Sequence, residues 1–447
     1  MRDGDGLARK LSSIVGEDQV LSDGAATAFA VDGVSPRLAV RPGTQQDVEA
    51  VVAACTAAGA AMAPWGGGTA MGLGNPPSRL DVVVLLDRLS RIVEFDHANL
   101  NVSAEAGVRL ARLQEVLGEK GEFLPLDPAE ADAVTVGGLV ESNASGPGRL
   151  LYGSARDWVL GLRVVLPSGE RIRCGGKVIK NVSGYDMNKL FIGSLGSMGI
   201  VTEATFKLLP LPAARATVVG VFRQVPQMAS VVARALESFL VPEALEALDP
   251  AALSSAETGL GRVSPAGYGL AVSLAGSREA VERQVRDFTK LFKENDAIAT
   301  DTLGDADAGP AWRAIRNVHA PFKASGVVVK VAVPIGKTLD LFASAGDLGR
   351  RGFTGAVSAH AGSGVVRAGY RIAAGAPLEP LRDALAALRG EAEAAEGSLV
   401  LESAPAALKR TLDAWGRVRD GFAVARRLKA ELDPGGLMNP GRFVGGI

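Results

Sequence analysis

Cysteine is scarce in this chain. Cys55 and Cys174 are the only two in 447 residues, and no Cys-x-x-Cys pair occurs. That excludes an iron–sulfur cluster or a cysteine zinc site built from this chain alone. Charge of one sign is lacking too. With 48 basic and 49 acidic residues the formal net charge is -1, which leaves no footprint for nucleic acid and no polybasic surface for a membrane. No apolar run approaches the roughly eighteen residues a spanning helix needs, so no membrane span is expected. Residues 1–16 carry no apolar signal core, and a cytoplasmic, reducing setting is the expectation. Two nucleotide-binding motifs are also missing. Gly66-x-Gly68 meets Met71 where a Gly-x-Gly-x-x-Gly fingerprint needs its third glycine, and the loop runs on into Pro76-Pro77 and a strand. Gly176-Lys177 continues into Val178, with Arg171 where a Walker A loop needs its first glycine.

What is present is an ordinary globular balance, 47% hydrophobic and 22% charged, on a length that predicts two or three domains. Residues 44–59 read as a helix: Thr44 caps the first turn, Val48, Val51, Val52 and Cys55 share a face, and Gly59 ends it. A strand at 60–65, a buried β-branched strand at 81–86, a hairpin over 91–107 and a helix over 108–120 follow. Residues 163–173 predict a hairpin turning at Ser168-Gly169, and 200–212 a strand closed by two prolines, the first candidate domain boundary. Beyond it strands and helices alternate. That spacing predicts one antiparallel sheet backed by helices, then a tail at 406–447 with a helix and LDPGGLMNPGRF. No internal repeat is visible.

The 55 glycines cluster. Residues 66–74 and 135–146 read as two glycine-rich loops, each placing backbone N–H groups where a phosphate approaches closely. One such loop is usually a turn; two in one domain point to a dinucleotide.

At these residues the chain resembles a known family. The order Pro64-Trp65-Gly66-Gly67-Gly68-Thr69, Pro125-Leu126-Asp127-Pro128, Thr135-Val136-Gly137-Gly138, Asn143-Ala144-Ser145-Gly146, Tyr152-Gly153 and Gly196-x-x-Gly199-Ile200-Val201-Thr202-Glu203 is similar to the FAD-binding domain of the vanillyl-alcohol-oxidase superfamily. Within it the glycolate oxidase and D-lactate dehydrogenase group fits best, above all the GlcE-type flavin subunit. GGKVIKNVSGYDMNKLFIGSLGSMGIVTEATFKLLP (175–210) and the tail carry that likeness. The resemblance implies an α+β fold: a PCMH-type FAD-binding domain of two α/β subdomains over 1–213, a ferredoxin-like α+β cap with an antiparallel sheet over 214–405, and a segment 406–447 returning to the first domain. It implies that Gly66, Gly67, Gly68 and Thr69 hold the FAD pyrophosphate, flanked by Pro64, Trp65, Ala70 and Met71. Thr135, Val136, Gly137, Gly138, Asn143, Ala144, Ser145 and Gly146 then line the other side with Pro128. Gly153 and Asp157 fall near the diphosphate and ribose, Ile200 and Val201 at the adenine, and Gly196, Gly199 and Asn439 around them. No His or Cys lies in 64–71, so non-covalent FAD is expected. His97, in a hairpin turn, receives no role.

Oxidising a 2-hydroxy acid requires an Arg for the carboxylate, a base or metal for the hydroxyl, and a hydride acceptor. The resemblance implies a metal held by His-x-Gly-Asp-Gly-Asn-x-His and a later Gly-Glu-His. Here those segments read His360-Ala361-Gly362-Ser363-Gly364-Val365-Val366-Arg367 and Leu401-Glu402-Ser403. Only His360 and Glu402 survive as donors, so no metal is expected. His360, Arg316 and Glu402 are the candidate catalytic residues. Against that reading, His360 also fits a satisfied strand-end histidine, Arg313 and Arg316 fit a solvated helix face, Lys330 fits an outward strand position, and Trp312 and Trp415 fit the core. The expected activity is that of an FAD-dependent subunit of a 2-hydroxy-acid (glycolate or D-lactate) dehydrogenase or oxidase complex. Its expected partners are a second flavin subunit and an iron–sulfur subunit. A stand-alone dehydrogenase and a non-catalytic flavin scaffold are the alternatives.

Overall fold

The computed structural model describes residues 4–177, 185–255 and 267–447. The central part of the motif at 175–210, residues 178–184, lies outside the described residues. Three large sheets, beside a two-stranded pairing of Leu209–Pro210 with Glu122–Phe123, organise the described residues. The first has four strands in the order Val20–Ser22, Leu38–Val40, Val82–Leu85, Met62–Trp65, the last three mutually parallel. Parallel strands are covered on both faces and so read as unbroken apolar runs; all four residues of Val82–Leu85 are buried. The crossover helix Gln45–Ala57 starts at Thr44, which closes a capping box with Asp47, a device worth about 1 kcal/mol.

The second sheet is antiparallel and five-stranded, ordered Ile92–Asp96, Asn101–Glu105, Ile200–Lys207, Val159–Val165, Arg171–Gly175. The helices Leu110–Gly118 and Val136–Ser142 pack Leu113, Leu117, Leu139 and Val140 into its core.

The third sheet has eight antiparallel strands in the order Ala299–Leu303, Ala214–Phe222, Tyr268–Gly276, Ala244–Leu248, Gly355–His360, Val365–Arg371, Gly326–Ala332, Ser398–Ser403. Its topology repeats. Apart from the one-turn helix Pro250–Leu253, the described residues run strand, helix, two strands, helix, strand from Ala214 to Leu303 and again from Gly326 to Ser403, each with spatial order 4-1-3-2, joined where Ala244–Leu248 pairs with Gly355–His360. The sequence shows no such repeat because packing needs only the alternation of polar and apolar positions, which unrelated residues supply equally well.

That alternation positions the site. Leu245, Ala247, Val357, Ala359, Val366, Ala368, Val329, Val331, Leu399 and Leu401 face one side, into a core formed with the helices Val225–Leu236, Arg278–Glu294, Thr338–Arg350 and Glu379–Ala394. Because strand side chains alternate, Glu246, His360, Arg367, Lys330 and Glu402 are turned to the opposite side. Lys330 is therefore not an outward strand residue. Its Nζ lies 3.7 Å from Glu402 in a shared cavity. Trp312 is buried in the core on this side, with its indole N–H donating to Thr217.

The tail then returns. Met438 bridges Met62 in parallel, with Met62 N donating to Leu437 O and Asn439 N to Met62 O, both at 2.7 Å. Among the described residues no helix is long and apolar enough to cross a membrane.

Candidate active site

The first glycine loop is held from outside by cations. Lys323 donates to Thr69 O, Arg442 to Met71 O and Leu73 O, and the fully buried Lys409 to Gly72 O at 2.6 Å. With these carbonyls pulled outward, the N–H groups of Gly67, Gly68, Thr69 and Ala70 engage no acceptor among the described residues. Consecutive free amides of this kind form an anion nest. The loop is also wedged tightly: a Cβ at Gly67 would lie 1.7 Å from Ala133 O, and one at Gly66 2.2 Å from the Thr135 hydroxyl. These two glycines are thus demanded first by loop-on-loop contact. Pro64 and Met71 complete the wall, and Trp65 sits edge-on against Phe29 beneath Gly68.

The second glycine stretch is not a loop. Val136–Ser142 is a helix capped by Thr135, whose hydroxyl accepts from Gly138 N. Val136 N and Gly137 N donate to Val108 O and Ala106 O. Its first-turn amides are therefore spent within the protein, and the expected second run of free N–H groups moves downstream. Asn143 turns left-handed at φ 48°, after which Ala144 N and Ser145 N engage no acceptor among the described residues. The Asn143 side-chain oxygen is buried without a partner. Gly146 is pinned against Asp127 O, 1.9 Å from where its Cβ would be.

Around this cradle, Asn439 donates to Leu195 O at 2.5 Å and leaves its side-chain oxygen buried and unpaired, as does Arg442 with Nε. Gly196 stacks on Pro64 and Gly199 on Val164. Ile200 pairs with Val165, and Val201 N donates to Glu141 at 2.8 Å, so that amide is already engaged. Gly153 and Asp157 serve a neighbouring turn, where Asp157 accepts from Ser154 N at 2.8 Å in a capping box. Glu141 sits under the cradle, and burial pushes its carboxyl up to about 8 against the pull of the Val201 N–H. The free amides, the unpaired buried polar atoms and the glycine packing fit a bound diphosphate of the FAD type.

Beside the cradle lies a cavity of about 110 Å³. Thr69, Ala70, Pro128, Asn143, Ala144 and Ser145 form one wall, and Arg316, His319, Lys323, Lys330, Arg367 and Glu402 the other. Burial raises the Glu402 carboxyl, but the Arg367 and Lys330 charges overcome it and hold the group at about 2. Burial and then the Arg367 charge push His319 down to about 3, so it is neutral. Its Nε2 lies 3.2 Å from Ser358 Oγ, and its Nδ1 has no partner among the described residues. His360 stands behind the wall, 5% exposed, with Nδ1 2.6 Å from Glu246 and Nε2 3.3 Å from Arg367. The structure thus brings His360, Glu402 and Arg316 around one centre. Sequence reasoning passed over His319, Glu246 and Arg442, and took Arg367 only as a lost histidine. For Glu246 and Arg367 the available signal was a lone polar residue inside an apolar strand, as in LEAL and VVRAG; His319 and Arg442 lie outside strands and carried none.

A metal does not fit this donor set. Among the described residues no group of three or more His, Cys, Asp or Glu side chains converges to hold one, and the two donors that survive are both engaged by Arg367.

A backbone nest, a buried polar rim and a cationic cavity on a sheet face fit a dinucleotide-binding enzyme. The FAD binding domain family matches residues 36–175, and the family of FAD linked oxidases, C-terminal domain, matches 211–443. The chain belongs to the FAD-linked oxidases, and FAD is its cofactor. It is 28% identical over 417 residues to glycolate oxidase subunit GlcD of Bacillus subtilis, covering 91% of this chain and 89% of that protein. Glycolate oxidase subunit GlcE of Escherichia coli is 40% identical over only 124 residues, 28% of this chain and 35% of that protein. The expected GlcE-type kinship is therefore corrected: the likeness to GlcE spans 28% of this chain, while that to GlcD spans 91% of it and includes the cap. The structure of p-cresol methylhydroxylase with substrate bound superposes with a TM-score of 0.77 at 16% identity, covering 98% of this chain and 96% of that one, and shows the same fold.

Proposed function

We propose that this chain oxidises a small 2-hydroxy acid to the 2-keto acid with non-covalent FAD. The observation that carries the reading is the shared cavity: free amides of the flavin cradle on one wall and Arg316, Lys330 and neutral His319 on the other. Arg316 pairs with the substrate carboxylate through charge-assisted hydrogen bonds, with Lys330 adding a second positive charge. His319 is the proposed acceptor of the hydroxyl proton, since it is the neutral imidazole lining the cavity; burial and the Arg367 charge make it a weak base, and its buried Nδ1 has to be uncovered for the step. His360 is a positioning residue, its ring held between Glu246 and Arg367. Glu402 stays ionised and fixes Lys330 and Arg367. FAD, when bound, accepts the hydride leaving the substrate Cα. Non-covalent attachment is supported by both cysteines being buried, with Cys55 pushed up to about 12 and Cys174 to about 11 by burial, each therefore a thiol and not a nucleophile.

We assign residues 1–213 and 406–447 to flavin binding and 214–405 to the substrate cap. With two cysteines this chain builds no cluster of its own, so electrons leave to another protein or a small acceptor. A second flavin subunit and an iron–sulfur subunit are the proposed partners. The test is anaerobic addition of glycolate and D-lactate to the purified yellow protein. Bleaching of the flavin by either acid is expected. An unchanged spectrum with both, in the isolated chain and in the presence of co-purified partners, rules out these two acids as substrates, and the same result across the 2-hydroxy acids favours the scaffold reading.

A further inference from the structure

The centre of the polar row is a cation that cannot leave. Arg367 directs Nε and Nη2 at the two carboxylate oxygens of Glu402, at 3.2 and 3.5 Å, and Nη1 at His360 Nε2, at 3.3 Å. Both terminal nitrogens also donate to Ser145 O at 3.3 Å, on the flavin side of the cavity. Every N–H of the guanidinium has an acceptor in this set. Behind it Glu246, 1% exposed, fixes His360 through Nδ1. His360 and Glu402 are the two donors this sequence keeps of the metal pattern its resemblance implies, and Arg367 occupies the place of a third. A metal-binding imidazole must offer a lone pair; here that lone pair faces a guanidinium N–H. A metal-binding carboxylate must be free; here it is paired with Arg367 and, at 3.7 Å, with Lys330. Two resident positive charges also repel an incoming divalent ion.

We propose that this site works without a divalent metal, the Arg367 guanidinium supplying in its place a fixed positive charge at the junction of His360, Glu402 and the cradle carbonyl of Ser145. The inference rests on the reading of this cavity as the site of 2-hydroxy-acid oxidation. A guanidinium stays charged at all working pH and is not removed by a chelator. It does not acidify a hydroxyl as a bound metal does, so the proton needs a base, a role that His319 fills.

The test uses the purified flavoprotein. Its content of zinc, manganese, cobalt and iron is measured by plasma mass spectrometry, and flavin bleaching by D-lactate is timed before and after EDTA. Metal far below one ion per chain, with an unchanged bleaching rate, is expected. A stoichiometric ion whose removal slows bleaching about tenfold or more, the scale on which metal sites respond to loss of their support, overturns the proposal. Cobalt titration of the wild type and of Arg367→His gives a second readout. A cobalt absorption band is expected in the variant, which regains an imidazole beside His360 and Glu402, and none in the wild type. A band in the wild type, or a variant that keeps its flavin but gains no band, contradicts the assignment of Arg367 as the excluding cation. The metal measurements need no turnover. If no 2-hydroxy acid bleaches the flavin the functional reading fails, while these arms still decide the question of metal.

Discussion

Arg316 borders three adjoining cavities, at the end of the helix Asp305–Asn317 that crosses the polar face of the large sheet. A helix-surface arginine there reads from sequence as solvated, because helical periodicity marks the buried face without saying what that face meets. Its neighbour Arg313 is indeed exposed. Replacing Arg316 with alanine should weaken binding of a 2-hydroxy acid about 10- to 100-fold, the equivalent of a hydrogen bond to a charged group, while flavin content stays the same. A bleaching titration measures both. His319→Asn should leave the acid's apparent affinity nearly unchanged and slow bleaching by about 10²–10⁴, the usual contribution of a positioned base. An equal loss in binding and rate would assign His319 to substrate positioning instead.

At the scale of elements, the instructive case is 135–146. Its glycines suggest a loop, yet Thr135 caps Val136–Ser142 and the glycines at 137 and 138 lie inside the helix. Close packing explains them: a Cβ at Gly137 would approach the Ala106 side chain to 2.8 Å. Composition cannot separate a glycine needed for a turn from one needed for contact between neighbouring elements. By contrast, the helix Gln45–Ala57 was legible because its cap is a local signal, and Asn101–Glu105 because it alternates polar and apolar residues in sequence, although the fold buries all five. Glu141, on this short helix, yields a pH prediction. Its carboxyl ordinarily titrates at 4.5 and in the fold is pushed up to about 8 by burial. Between those values the folded chain holds a proton that the unfolded chain has released, so stability falls as pH rises from 4.5 towards 8. Glu141→Gln keeps an oxygen for the Val201 N–H and removes the titration. Its Tm advantage over wild type, followed by thermal melts from pH 5 to 8 with flavin bound, should grow with pH.

For the whole molecule, the cradle is shaped by chain segments far from it in sequence. Lys409 reaches Asp32 at 2.8 Å and Gly72 O at 2.6 Å, and Arg442 grips the same loop. Removing one partner of such a buried pair costs about 3–5 kcal/mol, so Lys409→Ala should lower Tm by several degrees and release flavin on gel filtration. Retention of both would show that the tail merely covers the loop. This long-range bracing, like the doubled strand–helix topology of the cap and the polar row across its middle strands, depends on pairings between distant residues. Strands such as Val82–Leu85 and Gly326–Ala332 were readable by themselves; Ala244–Leu248 and Ala299–Leu303 were not, and neither was the order of the sheet.

The most direct test of the account is flavin stoichiometry in the purified wild type and in Gly67→Ala, measured by absorbance after reconstitution with FAD. One FAD per chain is predicted for the wild type. Little or none is predicted for the variant, whose added methyl would meet Ala133 O at 1.7 Å and displace the free amides. A wild type that stays colourless, or a Gly67→Ala protein that binds FAD as tightly as the wild type, would contradict a cofactor held by this backbone nest.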